Sequence, residues 1–564
     1  MKPLDVIAFL VTPRRWSCAL DRVSALVGEA VVIDTTRLGH VLSRLLAALS
    51  PVRSLAVRSS SVLNGLDWRA RKGFWSLTWS ATVALAQWPK PASIPRDEQP
   101  ISLLSAPETY PDFRSPSLVV PADVPCAEKS LLTDVAVELI HLLQDVYPVV
   151  APHQPVASSD PRERLQEAYT RLHRAVRTPP VWHADLVSAT QDHNLLGALA
   201  AGGPFAKLIE RVSPDSDRYR IDLKHLGDYP VREGLCPLGS EIHLVATDGA
   251  VRVAGVEYEG EMVRPGTAGW ERAERIALAG LMTHLTVWRQ GMEYHVGGLA
   301  PVPVATHNYL PAAHPLRRLL AAHMSQTLLT NHSTHLTLRR SGWDVRALSF
   351  TREALLRFYD DGARAFDIRR LDVGADAQWR GVPDTLNYPY LPQALRYYGL
   401  VESYVRDYVE HHYPDEASLD GDTHAQLWFE FLDRSVTNGV RAYVPSLTKE
   451  PLVRLCTLII YSVSVAHTEN SLWNYAVFMP PTVRRDGMGQ SVGEVQLTLN
   501  FQFLITSPAT LLLHDISQLA LDARAAEIME GFQASLRGLQ REMDQGPDRF
   551  WHLHPRELQA SVSA

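Results

Sequence analysis

Two histidines sit at the ends of apolar, helix-patterned stretches of this chain: His295 closes "WRQGMEYH" (288–295) and His467 opens "HTENSLWNY" (467–475). An imidazole buried on a helix can do one of two things. Beside other donors it holds a transition metal through its unprotonated nitrogen; otherwise it is a core side chain satisfied by hydrogen bonds. The run before His467, "LVRLCTLIIYSVSVA" (452–466), is apolar almost all round, with Arg454 its only charge. Such a helix is expected at the centre of a large protein. The polar residues Thr468, Glu469, Asn470 and Ser471 follow His467. On an ideal helix Glu469 points roughly 160° away from His467, which reads as a surface or buffering charge. Periodicity leaves metal ligand and core histidine both open.

The elements that must position these residues belong to a chain of 564 residues, 46% apolar and 21% charged, enough to bury a large core. Length admits several domains. The formal net charge is −7 and no basic block occurs, so nucleic acid and anionic membrane surfaces are excluded as expected partners. Seven lysines stand against 48 arginines, a skew expected of a GC-rich bacterial genome. Cys18, Cys126, Cys236 and Cys456 are far apart and form no C-x-x-C pair, which fits a reduced, cytoplasmic setting. The opening "MKPLDVIAFLVTPRRW" is broken by Asp5 and has no small-residue cleavage site. No apolar run reaches the roughly 18 residues of a membrane-spanning helix, so no transmembrane segment is expected.

Composition divides the chain in three. Residues 1–88 mix strand-like pieces with one short helical pattern and carry no assigned chemistry. Residues 89–160 form a proline-rich arm, with nine prolines between 89 and 125, enclosing one amphipathic helix at 127–147. Residues 161–564 are dominated by long helical patterns, at 162–176, 270–299, 315–340, 351–364, 390–412, 421–437, 447–475 and 507–543. A short sheet interrupts them around 218–263, where "SEIHLVATDGAVRVAGVEY" alternates about the turn "TDGA". The fold class is therefore mainly α, with long central helices and a small β-sheet, plus a mixed N-terminal segment.

The stretch "ATHNYLPAAHPLRRLLAAHMSQTLLTN" (305–331) resembles the lipoxygenase signature A-T-H-x-x-L…H-P-x-x-x-L-L…H…T…N, through His314, Pro315, Leu319, Leu320, His323, Thr327 and Asn331. Further matches follow the family's order. "WHADLVSATQDHNLLGALAAGGP" (182–204) is similar to its W-x-x-D…G-x-N-P region, with Gly203 where the family has asparagine. "LNYPYLPQALRYYGLVESYVRDYVEHHYP" (386–414) and "GDTHAQLWFEF" (421–431) resemble its Y-P-Y and D-x-E-L-Q-x-W-W regions. "LVRLCTLIIYSVSVAHTENSLWNY" (452–475) is similar to T-I-I…S-A-x-H-A-A-V-N-F-G-Q-Y, and the last residues, "LHPRELQASVSA", parallel L-x-P-x-x-I-P-N-S-I-S-I. Shared order and spacing over residues 180–564 make the resemblance specific.

The resemblance implies a lipoxygenase-like catalytic domain holding one non-haem iron between two central helices. In the family two histidines five residues apart, a third histidine with an asparagine four residues on, and the C-terminal carboxylate bind the metal. Five-residue spacing is awkward for a regular helix and is served by a π-bulge. Carried over residue by residue, His295 takes the second histidine position and Gln290 the first. His467 takes the third, Ser471 the asparagine position, and Ala564 the terminal carboxylate. Asn470, three residues from His467, is an alternative amide donor. His295, His467 and the Ala564 carboxylate together make a two-histidine, one-carboxylate set suited to iron. Gln290 is expected to coordinate weakly or not at all. His284, His307, His314 and His323 are expected to be structural. Leu338 matches the leucine that clamps the substrate, Thr334 the small residue that steers oxygen, and Asn474 a glutamine behind the ligands.

The implied activity is hydrogen abstraction and O2 chemistry on a hydrophobic unsaturated small molecule, an acyl chain or specialised metabolite. Loss of one imidazole and the bulkier Thr334 argue against ordinary linoleate peroxidation. The alternative is a metal-free, repurposed fold that binds, isomerises or cyclises a hydrophobic ligand, or serves only as a binding partner.

Overall fold

Strands form where the sequence alternates. A two-stranded antiparallel ribbon, β1 (Leu103–Ser105) and β2 (Val119–Pro121), precedes a five-stranded antiparallel meander. Its strands, in chain order and spatial order alike, are β3 (Glu210–Arg211), β4 (Arg218–Asp222), β5 (Ser240–Thr247), β6 (Ala250–Tyr258) and β7 (Glu261–Val263). The register pairs Ile242 with Val256 and closes with Thr247 opposite Ala250, so the link at 248–249 has two residues, as the turn signal implied. A bulge between His243 and Leu244 shifts the register once. Ile242, Leu244 and Val256 are buried, and helix α2, introduced below, lies against β5 and β6.

The structure is a computed structural model, and it describes residues 100–105, 119–122, 193–203, 205–247, 250–332, 348–383, 386, 390–470, 480–487, 511–546 and 554–562. The mixed segment 1–88, the helices expected at 127–147 and 162–176, and the site candidates Thr334, Leu338, Ser471, Asn474 and Ala564 lie outside the described residues.

The described helices are α1 (Leu195–Gly202), α2 (Trp270–His284), α3 (Pro301–Tyr309), α4 (Pro315–Ala321), α5 (Arg352–Ala365), α6 (Val373–Trp379), α7 (Tyr390–His412), α8 (Glu416–Asp420), α9 (Thr423–Ser435), α10 (Lys449–Tyr461), α11 (His467–Glu469) and α12 (Ala523–Gln545). Several start where a side chain satisfies an orphan amide of the first turn. Thr351 caps α5 through the amide of Ala354, Asp372 caps α6, Asp422 caps α9 and Asp522 caps α12. At α4 the cap is His314, whose Nδ1 accepts from the Leu316 amide at 3.2 Å, with Pro315 at the first helical position. The other ring nitrogen of His314 lies 2.9 Å from Asp422, so one imidazole ties α4 to α9.

Two helices are not α-helical throughout. α2 runs on as a π-helix over Leu285–His295, and α10 as a π-helix over Ser462–Ala466 before α11 begins. In the first of these the amide of Val296 donates to the carbonyl of Gly291, five residues back, at 3.0 Å. α5 packs against this π-helix. A Cβ at Gly291 would stand 2.8 Å from the ring edge and hydroxyl of Tyr359, so the glycine is what lets α5 approach. α7 lies along both α10 and α12, and α3 lies along α9. Nearly all the buried apolar residues merge into one core.

Two expectations are corrected. The helix expected at 315–340 breaks after a 3-10 turn at Ala322–Met324, because Ser325 is extended and Gln326 has φ 60°; helix resumes at residue 327. The helix expected at 507–543 begins at Ala523, where Asp522 caps it, and the described residues before it hold only a 3-10 turn at Ser517–Leu519. The π-segment carries the α10 helix beyond its apolar run, so Lys449–Glu469, 21 residues with mean hydropathy 1.3, is long and apolar enough to cross a membrane. Of that window 89% is buried inside the protein, which accounts for its apolarity by core packing.

Candidate metal centre

The two π-segments bring His295 and His467 face to edge. Their ring centroids lie 5.4 Å apart with the planes at 76°, and both residues are buried. Each ring is held at Nδ1 by a side-chain amide oxygen. Nδ1 of His295 meets Oδ1 of Asn331 at 3.1 Å, and Nδ1 of His467 meets Oε1 of Gln559 at 3.1 Å. An amide oxygen only accepts, so Nδ1 carries the proton in both rings and the lone pair sits on Nε2. That is the arrangement in which histidines hold metals, with the second nitrogen anchored to an oxygen. Burial pulls the pKa of His295 down to about 4. Burial, and then the neighbouring His295, pulls that of His467 down to about 3, so both rings are neutral near pH 7.

The remaining polar atoms at this place are left open. Nε2 of His467, Oε1 of Gln290 and Oδ1 of Asn470 are all buried without a hydrogen-bond partner. A buried acceptor without a donor costs free energy of order 1–3 kcal/mol, and a cation among them would remove that cost. Nitrogen and oxygen donors of this type fit divalent iron. Gln290 and His295 lie five apart in the π-helix, whose hydrogen bonds run from i to i+5. The local geometry that suits a pair of ligands is thus kept although the first position is an amide. Asn470 donates from Nδ2 to the Tyr294 hydroxyl at 3.5 Å, and the Tyr294 ring stands edge-on to His467 at 5.3 Å.

Ala564 and Ser471 lie outside the described residues, but the chain is described to Val562, and Leu558, Gln559, Ala560, Ser561 and Val562 are all buried. This terminal segment is docked at several points. Gln559 donates its amide to Oγ1 of Thr468 at 3.0 Å, and Thr468 in turn donates to the carbonyl of Ser464 at 2.7 Å. The carbonyl of Ala560 lies 3.0 Å from Nδ1 of His323, and Ser561 donates to the carbonyl of Ser325 at 2.7 Å. The break in the expected 315–340 helix is therefore where the terminal segment lands. His323 and His314 are structural, as expected, and His284 packs among His225, Trp288 and Phe358.

Glu469 is a correction. It is 1% exposed, not a surface charge. The direction away from His467 leads into a second buried polar cluster, because protein packs on the side of the helix that Glu469 faces as well as on that of His467. Tyr390 donates to Oε2 of Glu469 at 2.7 Å, while Oε1 has no partner. Burial raises the pKa of Glu469, opposed chiefly by Lys207, itself 5% exposed. Arg289 donates to Glu293 at 2.6 Å in the same cluster. Residue order points to neither Gln559 nor the role of Asn331. Asn331 stands at signature spacing; Gln559 carries no signal of its own. Elsewhere, Glu241, His243 and Glu257 converge, but Nζ of Lys224 already lies 2.6 Å from Glu241 and 3.3 Å from Glu257.

Comparison with known proteins agrees with this architecture. A family model described as Lipoxygenase matches residues 281–530. Linoleate 13S-lipoxygenase 3-1, chloroplastic, of Solanum tuberosum is 28% identical over 209 residues, 33% of this chain and 23% of that protein. Hydroperoxide isomerase ALOXE3 of Homo sapiens is 27% identical over 202 residues, 34% of this chain and 28% of that protein. The chain thus matches about a quarter of these curated relatives' own length. The solved structure of a calcium-dependent 11R-lipoxygenase superposes with a TM-score of 0.66 at 15% identity, over 86% of this chain and 80% of that one. Central π-segments, signature and superposition converge: the chain has the lipoxygenase fold and matches the Lipoxygenase family model over residues 281–530.

Proposed function

We propose that the protein is a lipoxygenase-like non-haem iron oxygenase acting with O2 on an unsaturated acyl chain or a related hydrophobic metabolite. One observation carries the reading: His295 and His467 face each other at 5.4 Å, each with Nδ1 tied to an amide oxygen, beside the unpartnered Nε2 of His467. Iron, when bound, supplies one-electron chemistry for hydrogen abstraction from a doubly allylic carbon. The rest is the work of this chain's residues. His295 and His467 offer Nε2, and Asn331 and Gln559 keep the Nδ1 protons in place. Asn470 offers Oδ1 near the position Ser471 occupies in the family pattern, and Gln290 a weaker amide oxygen in place of an imidazole. The Ala564 carboxylate completes the set, a reading supported by the burial of the chain up to Val562. Leu338 and Thr334 would line the substrate path, with Asn474 behind the ligands. The apolar walls of α10, including Leu458 and Ile459, keep water out.

A second reading takes its support from the relative named hydroperoxide isomerase and from the missing imidazole at Gln290. In it the same site rearranges an oxidised lipid without consuming O2. Metal analysis and oxygen uptake decide. The purified chain is expected to hold about one iron per chain, and His295→Ala or His467→Ala to lose most of it. Oxygen uptake on a panel of polyunsaturated acids supports the oxygenase; turnover of their hydroperoxides without uptake supports the isomerase. If both alanine variants keep the wild-type iron content, the site is wrong.

A further inference from the structure

The family's terminal pattern carries proline where this chain has Gln559, and proline has neither a side-chain acceptor nor an amide proton. Gln559 uses both. It is 2% exposed, its Oε1 meets Nδ1 of His467 at 3.1 Å, and its amide donates to Oγ1 of Thr468 at 3.0 Å. The two contacts fall on successive residues of α11, so Gln559 grips the helix that presents His467 by side chain and backbone together. Strand-like contacts hold it from the other side: Gln559 bridges Leu511, and the amide of Leu512 donates to the carbonyl of Leu558 at 2.8 Å. The next residues, through Ala560 and Ser561, fasten the same segment to the 322–325 turn.

We propose that Gln559 is a positioning residue of the metal centre: by accepting a hydrogen bond from Nδ1–H of His467 as the terminal segment docks, it makes docking and the Nε2 lone pair one event. A free imidazole exchanges its proton between the two nitrogens, and the Nε2–H form cannot bind a metal through Nε2. Gln559 removes that competing form. The docked segment therefore also sets the imidazole that faces His295. A chain in which this segment is undocked then loses the Nε2 donor of His467. The inference rests on the iron-centre reading for its consequence, and on geometry alone for the tautomer.

The test uses the full chain labelled with 15N-histidine, its His467 signals assigned by their loss in His467→Ala. Long-range proton–nitrogen spectra of the metal-free protein read the tautomer, and cobalt(II) titration, followed by its visible absorption, reads affinity. Gln559→Leu is expected to lose the Nδ1–H signature and to weaken cobalt(II) binding about 10- to 100-fold, the usual effect of removing such a partner. Gln559→Glu, which keeps an acceptor at the same reach, should preserve the signature and bind within about threefold of wild type. If Gln559→Leu does not fold by circular dichroism, Gln559→Asn, one methylene shorter, carries the same comparison. Either readout unchanged in the acceptor-deficient variant overturns the proposal. A wild-type chain that takes up no cobalt(II) overturns the iron-centre reading instead, and the tautomer spectra then decide Gln559 alone.

Discussion

Glu469→Gln tests the polar cluster behind the metal helices. The substitution keeps the shape of the side chain and the acceptor for Tyr390, which donates at 2.7 Å, and removes only the charge. Glu469 is the chief attraction that sustains the charge of Lys207 against burial, and Nζ of Lys207 has no hydrogen-bond partner. Both groups are buried, at 1% and 5% exposure, so solvent screening offers little relief. No hydrogen bond joins Nζ to the carboxylate, so the attraction acts across the cluster; at an effective dielectric of about 20 and a separation of about 5–8 Å it is worth about 2–3 kcal/mol. A ceiling comes from Lys207 itself, which can give up its proton. Between its ordinary value of 10.5 and pH 7 that costs at most about 5 kcal/mol, at about 1.4 kcal/mol per pH unit. The attraction lies below that ceiling. Equilibrium urea unfolding at pH 7 should therefore show Glu469→Gln destabilised by about 2–3 kcal/mol. Adding Lys207→Met should return about 1 kcal/mol or more, since the double variant no longer buries a lone charge. A loss below about 1 kcal/mol, or a cycle additive to within about 0.5 kcal/mol, would refute the pairing.

Two further outcomes follow from single residues. Burial, with Glu271 adding to it, pushes the Glu274 carboxyl up to about 7, and its Oε1 has no partner. Between 4.5 and about 7 the folded state binds the extra proton, so stability falls as pH rises through that window and the loss is complete above it. Glu274→Gln should accordingly stabilise the protein by about 1–3 kcal/mol at pH 8 and change nothing at pH 4; equal urea midpoints at pH 8 would contradict this. Gly291→Ala places a Cβ 2.8 Å from Tyr359 inside the π-helix. Overpacking of this kind costs about 1–3 kcal/mol, read as a lowered melting temperature, and a variant as stable as wild type would mean that α5 can draw back.

Features that depend on neighbours along the chain are legible from residue order. Periodicity and caps placed a helix at 351–364, observed at Arg352–Ala365, and one at 390–412, observed over those same residues. Alternation placed the meander, and the histidine spacing drew attention to His295 and His467, which the fold does bring together. Features that join distant segments arise only in packing. The anchor of His295 lies 36 residues away at Asn331, and that of His467 lies 92 residues away at Gln559. No local pattern links such pairs. The continuous helix expected through 315–340 failed for the same reason: the turn at Ser325–Gln326 receives a terminal segment more than two hundred residues further on. Glu469 shows the limit most directly. Helical geometry states the direction in which a side chain leaves its own helix; whether water, an apolar wall or the hydroxyl of Tyr390 waits in that direction is settled only when the rest of the chain packs around it.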